Sequence, residues 1–171
     1  MVLRIVKYGD PVLEQVAQPV AEFGTPELKQ LVEDMFETMY ANKGIGLAAP
    51  QVALSQRLTV IDPSAGEDPE ARIVLINPEI VSKQGSQIGE EGCLSIPGFR
   101  EDVKRFNKVK VRAQNVDGET FETDGEELLA RAMQHEIDHL NGVLFLSHLS
   151  LLKRDLIRRK IRKLAKAGEW D

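Results

Sequence analysis

The chain is expected to fold as α+β, with antiparallel sheets packed around a central helix carrying His135-Glu136-Ile137-Asp138-His139, flanked by an N-terminal and a C-terminal helix. Three observations predict this. Strand-like runs rich in valine and isoleucine cluster between Arg57 and Thr123. Segments with helical periodicity bracket that cluster on both sides. Strands and helices do not alternate, as they would around a parallel sheet. At 171 residues the chain fits a single domain, long enough to bury a core.

Each element has a local reason. Met1 to Tyr8 reads as a leader that packs or pairs. Asp10 caps a short helical turn with Pro11 in its first position. Thr25-Pro26-Glu27 opens the first helix, which carries Leu28, Leu31, Val32, Met35, Phe36, Met39 and Tyr40 on one stripe and ends at Asn42-Lys43-Gly44. Gly44 to Gln51 reads as a glycine-rich loop passing close to a ligand, with Gln51 aimed at it. Arg57 to Ile61 and Arg72 to Ile76 are strands, and Glu79 to Gly89 is another, broken by glycines. Val103 to Val116 and Glu119 to Thr123 form a hairpin around Asp117-Gly118. Asp124-Gly125-Glu126-Glu127 resembles a capping box opening the helix that runs through His139 and stops at Asn141-Gly142. A last helix spans roughly Leu149 to Lys166.

Composition excludes several classes. A formal net charge of −5 argues against a DNA-binding protein. The longest informative uncharged run, Gly44 to Gln56, is too short and polar to span a bilayer, so no membrane partner is expected. Arg4, Lys7 and Asp10 interrupt the N-terminal apolar residues, so no signal-peptide pattern is present. With Cys93 the only cysteine, no intrachain disulfide can form, and a reducing, cytoplasmic setting is expected. Gly44-Ile45-Gly46-Leu47-Ala48-Ala49 fits a loose dinucleotide fingerprint, but that reading needs a strand before it and a helix after it, and Pro50 stands against the helix.

The chemistry centres on His135 and His139. Four apart on a helix, they share a face and can reach one metal ion, while Glu136 projects beside them to take a proton without ligating. A hydrolytic metal site has three protein ligands and one open position, so a third donor is needed: Cys93, His148 or a carboxylate. The metzincin extension is excluded, because its third histidine position holds Phe145 and no methionine follows Met133.

Three blocks, Gly44-Ile45-Gly46-Leu47-Ala48-Ala49-Pro50-Gln51, Glu91-Gly92-Cys93-Leu94-Ser95 and His135-Glu136-Ile137-Asp138-His139, are similar in content, order and spacing to those of peptide deformylases. Asp10-Pro11-Val12-Leu13 extends the resemblance over nearly the whole chain. The resemblance implies removal of the formyl group from the initiator methionine of nascent polypeptides. It implies Cys93, His135 and His139 as ligands of one divalent metal, Fe(II) natively, with Zn, Ni or Co also accepted. It further implies that Glu136 moves protons, and that the Gln51 amide and the Leu94 backbone N–H stabilise the charged oxygen. Ile45, Leu128 and Ala132 are assigned to an apolar pocket for the methionine side chain; Leu128 and Ala132 precede His135 by seven and three residues and share its face. Gly46 and Gly92 are assigned to substrate contacts, with Arg100 at the rim. The alternative reading is a small HExxH metallopeptidase, for which a Cys93 thiolate is not needed.

The C-terminal basic helix, residues 149–168, places Leu149, Leu152, Leu156, Ile157, Ile161 and Leu164 on an apolar stripe. Lys153, Arg154, Arg158, Arg159, Lys160, Arg162, Lys163 and Lys166 crowd its other faces. It is expected to dock on the domain and, as the resemblance also suggests, to bind the ribosome through phosphate contacts.

Overall fold

The computed structural model describes residues 1–170. Helix α1 spans Pro26–Ala41, α2 Glu127–Leu140 and α3 Leu151–Lys166. The strands are β1 Gly46–Ala48, β2 Leu58–Ile61, β3 Ile73–Gln84, β4 Gln87–Cys93, β5 Ile96–Arg105, β6 Lys108–Gln114 and β7 Thr120–Glu126. Five of them form an antiparallel sheet in the order β1-β2-β3-β6-β7, and β4 and β5 form a separate antiparallel ribbon. The α+β arrangement is the expected one. Helix α2 is central to it, packing against β1, β2, β6 and β7 of the sheet and against β5 of the ribbon.

The helices form for the expected reasons. The Thr25 hydroxyl accepts the Leu28 N–H at 3.1 Å, and Pro26 sits where no N–H is needed. Leu28, Val32, Met35, Phe36 and Met39 bury against Leu47, Leu58, Val60 and Ile76 of the sheet. On the other side Ala130, Met133 and Ile137 of α2 meet Ile61, Leu75, Val109 and Val111. A helix wedged between sheet and ribbon cannot rotate without exposing one of these faces, and this holds the His135 face in place.

Several boundaries differ from expectation. The stretch after Gly44 is not all loop: Gly46–Ala48 pairs with β2, and Ala49–Val52 forms one 3-10 turn with Pro50 inside it. Proline is tolerated in a first turn because its missing N–H is not required there. The segments from Arg72 to Ile76 and from Glu79 onward are one strand, β3, despite Pro78. The ladder to β6 shifts register between Ile76 and Glu79, and Asn77 takes φ 51°, so the proline falls in a bulge. The Asn77 side chain secures the bulge, bonding Val20 N–H at 2.9 Å and Gln114 Oε1 at 2.8 Å. The expected strand to Gly89 is cut at Gly85-Ser86, where β3 ends and β4 starts after the turn. Likewise Val103 to Val116 is two strands, with Val103 closing toward the end of β5 and β6 starting at Lys108.

The hairpin around Asp117-Gly118 forms as read, with Gly118 at φ +84°. The capping box does not form. Asp124 and Gly125 are engaged in the ladder opposite Lys110 and Val109, so Glu126 precedes the helix without a side-chain cap. Helix α3 starts two residues late because Ser150 is its cap. Its apolar stripe is narrower than expected. Ile157 and Ile161 are buried with Leu13, Phe145 and Trp170, and Leu164 packs against them, but Leu152 is 72% exposed and Leu156 46%. Positions 157, 161 and 164 lie on one side of the helix, and 152 and 156 lie roughly 110–150° round from it. None of the helices among the described residues is long and apolar enough to cross a membrane.

Candidate metal centre and active site

Cys93, His135 and His139 converge, with one ligand atom of each lying within 4.8 Å of the others. His135 Nε2 and His139 Nε2 are 3.1 Å apart, and Cys93 Sγ is 3.4 Å from His139 Nε2. The histidines come from one face of α2, as their four-residue spacing requires. The cysteine is the last residue of β4, paired with Ile96 beyond a register shift between Gly92 and Cys93 and just before the Leu94-Ser95 turn. Three lone-pair donors facing each other in a buried site suit a cation better than any protein partner. A thiol sulfur with two imidazole nitrogens is a borderline-soft set that fits divalent iron or zinc.

The expected neighbours gather around this group. Ile45, Gly46, Gln51, Gly92 and Leu94 line a cleft of about 740 Å³, opposite Leu128, Ala132, His135 and Glu136, with Cys93 between them. Arg100 also lines it, lying over Gly92 and bonding Glu90 at 2.5 Å. Gln51 is 1% exposed; its carbonyl oxygen accepts the Ala48 N–H at 3.0 Å, and its amide nitrogen donates to Ser95 Oγ at 3.2 Å and toward Cys93 Sγ at 3.5 Å. That amide is therefore held beside the candidate ligand by its other bonds.

Glu136 lies under the bare backbone of Gly46, where a Cβ would come within 2.5 Å of Oε2. Its Oε1 is buried and finds no hydrogen-bond partner among the described residues. Burial pushes its pKa up to about 7, with the His135 charge opposing and the Glu91 charge adding to the rise. A carboxyl balanced near neutrality can both take and return a proton.

His148, weighed as an alternative third ligand, is not in this group. Its Nε2 lies 2.9 Å from Asp138 Oδ2 and 3.2 Å from Arg105 Nη1. A carboxylate third ligand is not found either: Glu91, the acidic residue beside the cluster, is occupied at His135 Nδ1, 2.9 Å away, on the far side of the ring. Sequence reasoning missed this residue and its partners. Arg105 grips Glu91 with Nε at 2.8 Å and Nη2 at 2.9 Å, and also reaches Asp138 at 2.7 Å. Burial opposes the Glu91 charge, but hydrogen bonds from Arg105 and His135, together with their charges, hold its carboxyl well below the usual range. A signal was present: Glu91 lies two residues before Cys93 inside one of the three blocks.

The wider comparisons agree with the geometry. A family model described as polypeptide deformylase matches residues 2–155. The chain is 65% identical over 170 residues to a peptide deformylase from Acidobacterium capsulatum, covering 99% of each. To one from Alkalilimnicola ehrlichii it is 50% identical over 167 residues, covering 98% of this chain and 93% of that one. Among solved structures it is similar to a peptide deformylase from Legionella pneumophila, with a TM-score of 0.91 and 46% identity over 100% of this chain and 99% of that one. With the three-donor group, the fold and near full-length similarity all in agreement, the chain belongs to the peptide deformylase family of metal-dependent hydrolases.

Proposed function

We propose that this chain removes the formyl group from the N-terminal methionine of nascent polypeptides in the cytoplasm, releasing formate. The observation that carries this reading is the convergence of Cys93, His135 and His139 beside Glu136, with Cys93, His135 and Glu136 lining one cleft. Those three residues would hold one divalent ion, Fe(II) natively with Zn, Ni or Co as substitutes. An ion held there supplies acidification of water and polarisation of the formyl carbonyl. Glu136 accepts the proton of the attacking water and returns it to the leaving amine. The Gln51 amide and the Leu94 N–H donate to the oxygen as it gains charge, a contribution of roughly 3–4 kcal/mol per donor at comparable sites. Ile45, Leu128 and Ala132 receive the methionine side chain, Gly46 and Gly92 admit the peptide backbone, and Arg100 closes the rim.

The test is metal content of anaerobically purified protein measured alongside formate release from formyl-Met peptides. Stoichiometric iron with activity that decays in air faster than the fold is lost supports Fe(II), because iron and its thiolate ligand are both oxidisable. Undiminished activity after prolonged aeration favours a redox-inert metal. Absence of formate release from the metal-loaded protein would sink the reading and leave the small metallopeptidase.

A ribosome-binding role for α3 is a second proposal, supported by its charge pattern. Some of its basic residues are used in docking: Arg154 donates to Ser147 and Leu149 carbonyls, Arg158 bonds the Tyr8 hydroxyl at 3.1 Å, and Lys153 pairs with Glu101 at 3.4 Å. Arg159, Lys160, Arg162, Lys163 and Lys166 remain exposed. Because Ile157, Ile161 and Trp170 belong to the core, charge removal is a cleaner test than truncation. Replacing those five residues with glutamine is expected to abolish salt-sensitive co-sedimentation with ribosomes while formate release from short peptides persists. Equal binding by the variant and the parent at low salt would rule the role out.

A further inference from the structure

All the acceptor positions of the Glu91 carboxylate are in use. Oε1 accepts from His135 Nδ1 and Arg105 Nη2, each at 2.9 Å. Oε2 accepts from Arg105 Nε at 2.8 Å and from Arg131 Nη1 at 2.5 Å. An ionised carboxylate offers about four lone-pair sites, so this one cannot turn without breaking a charge-assisted bond. Its bond to His135 Nδ1 places the ring proton there and leaves the Nε2 lone pair for the cluster with Cys93 and His139.

Arg131 is the unexpected member. It precedes His135 by four residues on α2 and shares its face. It lines the cleft between Leu128 and Ala132, yet it is only 6% exposed. Its guanidinium is fixed from several directions: Nη1 also donates to the Val103 carbonyl at 2.9 Å, and Nε and Nη2 bond Gln87 Oε1 at 3.3 and 3.2 Å. It rests on Gly89, where a Cβ would come within 3.2 Å of Nη2. Charge gives a second reason for its presence. Glu91 and Asp138 carry two negative charges, and Arg105 bridges both with one positive charge. Arg131 brings the set to neutrality.

We propose that Arg131 is a positioning residue for the metal centre: seated in the wall of the substrate cleft, it holds Glu91, which in turn fixes the ring of His135. This rests on the metal-hydrolase reading above. Removing the direct partner of a ligating histidine, here Glu91, typically costs about 10–100-fold in metal affinity or activity. Arg131 stands one bond further out and Arg105 still grips Glu91 twice, so its loss falls at the low end of that range.

The test uses the full chain stripped of metal and titrated with Co(II) against a chelator at one pH, with the visible absorption of the Co(II) form recorded. Arg131→Met is expected to weaken Co(II) binding about 10-fold, the low end of the range for a direct partner, shift the absorption bands and lower kcat. Arg131→Lys keeps one charged donor near Glu91 and is expected to restore most of the affinity. A residue that merely lined the cleft would raise KM and leave Co(II) affinity and bands unchanged, and that result overturns the proposal. If Arg131→Met does not fold, Arg131→Gln decides by the same readouts, because it removes the charge and shortens the reach to Glu91 while keeping a polar side chain; unchanged Co(II) affinity there overturns it as well. Failure of the parent protein itself to bind Co(II) would instead bring down the metal-centre reading, and this inference with it.

Discussion

Glu136→Ala is expected to retain its metal and to release formate at least about 100-fold more slowly, since a positioned acid–base group contributes typically about 10²–10⁴-fold. The two parts of this expectation have separate causes. Glu136 is adjacent to His135 in sequence, but its side chain leaves the helix toward Gly46 and is not part of the Cys93, His135 and His139 group. Nothing in the fold depends on its carboxylate: it is 4% exposed, and Oε1 has no partner among the described residues. Burial raises its pKa to about 7, so the fold disfavours the charged form, and its removal is expected to leave Tm unchanged or raise it. Metal content, Tm and single-turnover formate release on the same preparation check all three. Near-parental turnover would end its assignment as the proton carrier. Glu136→Gln keeps the packing under Gly46 and is expected to be as inactive, which separates proton transfer from shape.

Much of this architecture was legible wherever the cause is local. The spacing of His135 and His139 fixes a shared helix face by geometry alone. Thr25-Pro26 and the stripe from Leu28 to Met39 mark α1 because capping and periodicity act within a few residues. The strand boundaries were harder to read, because pairing partners decide them. The two strands expected from Arg72 to Ile76 and from Glu79 onward join into one because β6 tolerates a bulge opposite Pro78. Asp124 and Gly125 read as a cap and are held by β6 instead. The site divides in the same way. The candidate ligands and Glu136 lie inside short motifs. The Glu91, Arg105 and Arg131 network is assembled from β4, β5 and α2, with Glu91 and His135 44 residues apart, so no local pattern could announce it. The sequence reading of the His135 face named Leu128 and Ala132 and passed over Arg131, because its role depends on a partner on another strand.

Cys93→Ala is expected to lose both metal and activity while remaining folded. The thiol is one of three donors, and the remaining pair of imidazoles comes from a single helix face with no donor opposite. If the roughly 10–16 kcal/mol of a four-ligand structural zinc site is shared among its ligands, one ligand is worth about 3 kcal/mol, or at least about 10²-fold in affinity. The fold has less at stake. Cys93 is half-buried at the end of the ribbon, and the residues around it are anchored separately: Tyr8 N–H bonds the Ser95 carbonyl at 2.8 Å, and Ile96 is fully buried in the core. The distinguishing measurement is the response of Tm to a chelator. Metal that binds only the folded state stabilises it by mass action, so the parent protein is expected to lose Tm on chelation and Cys93→Ala is expected to show no response. Cys93→Ser keeps the shape but offers a hydroxyl that is far harder to ionise than a thiol, and its metal retention and activity are expected to fall between those of the parent and the alanine variant. An alanine variant that purified with full metal, full turnover and a chelator-sensitive Tm would show that the sulfur is a neighbour of the centre and not part of it.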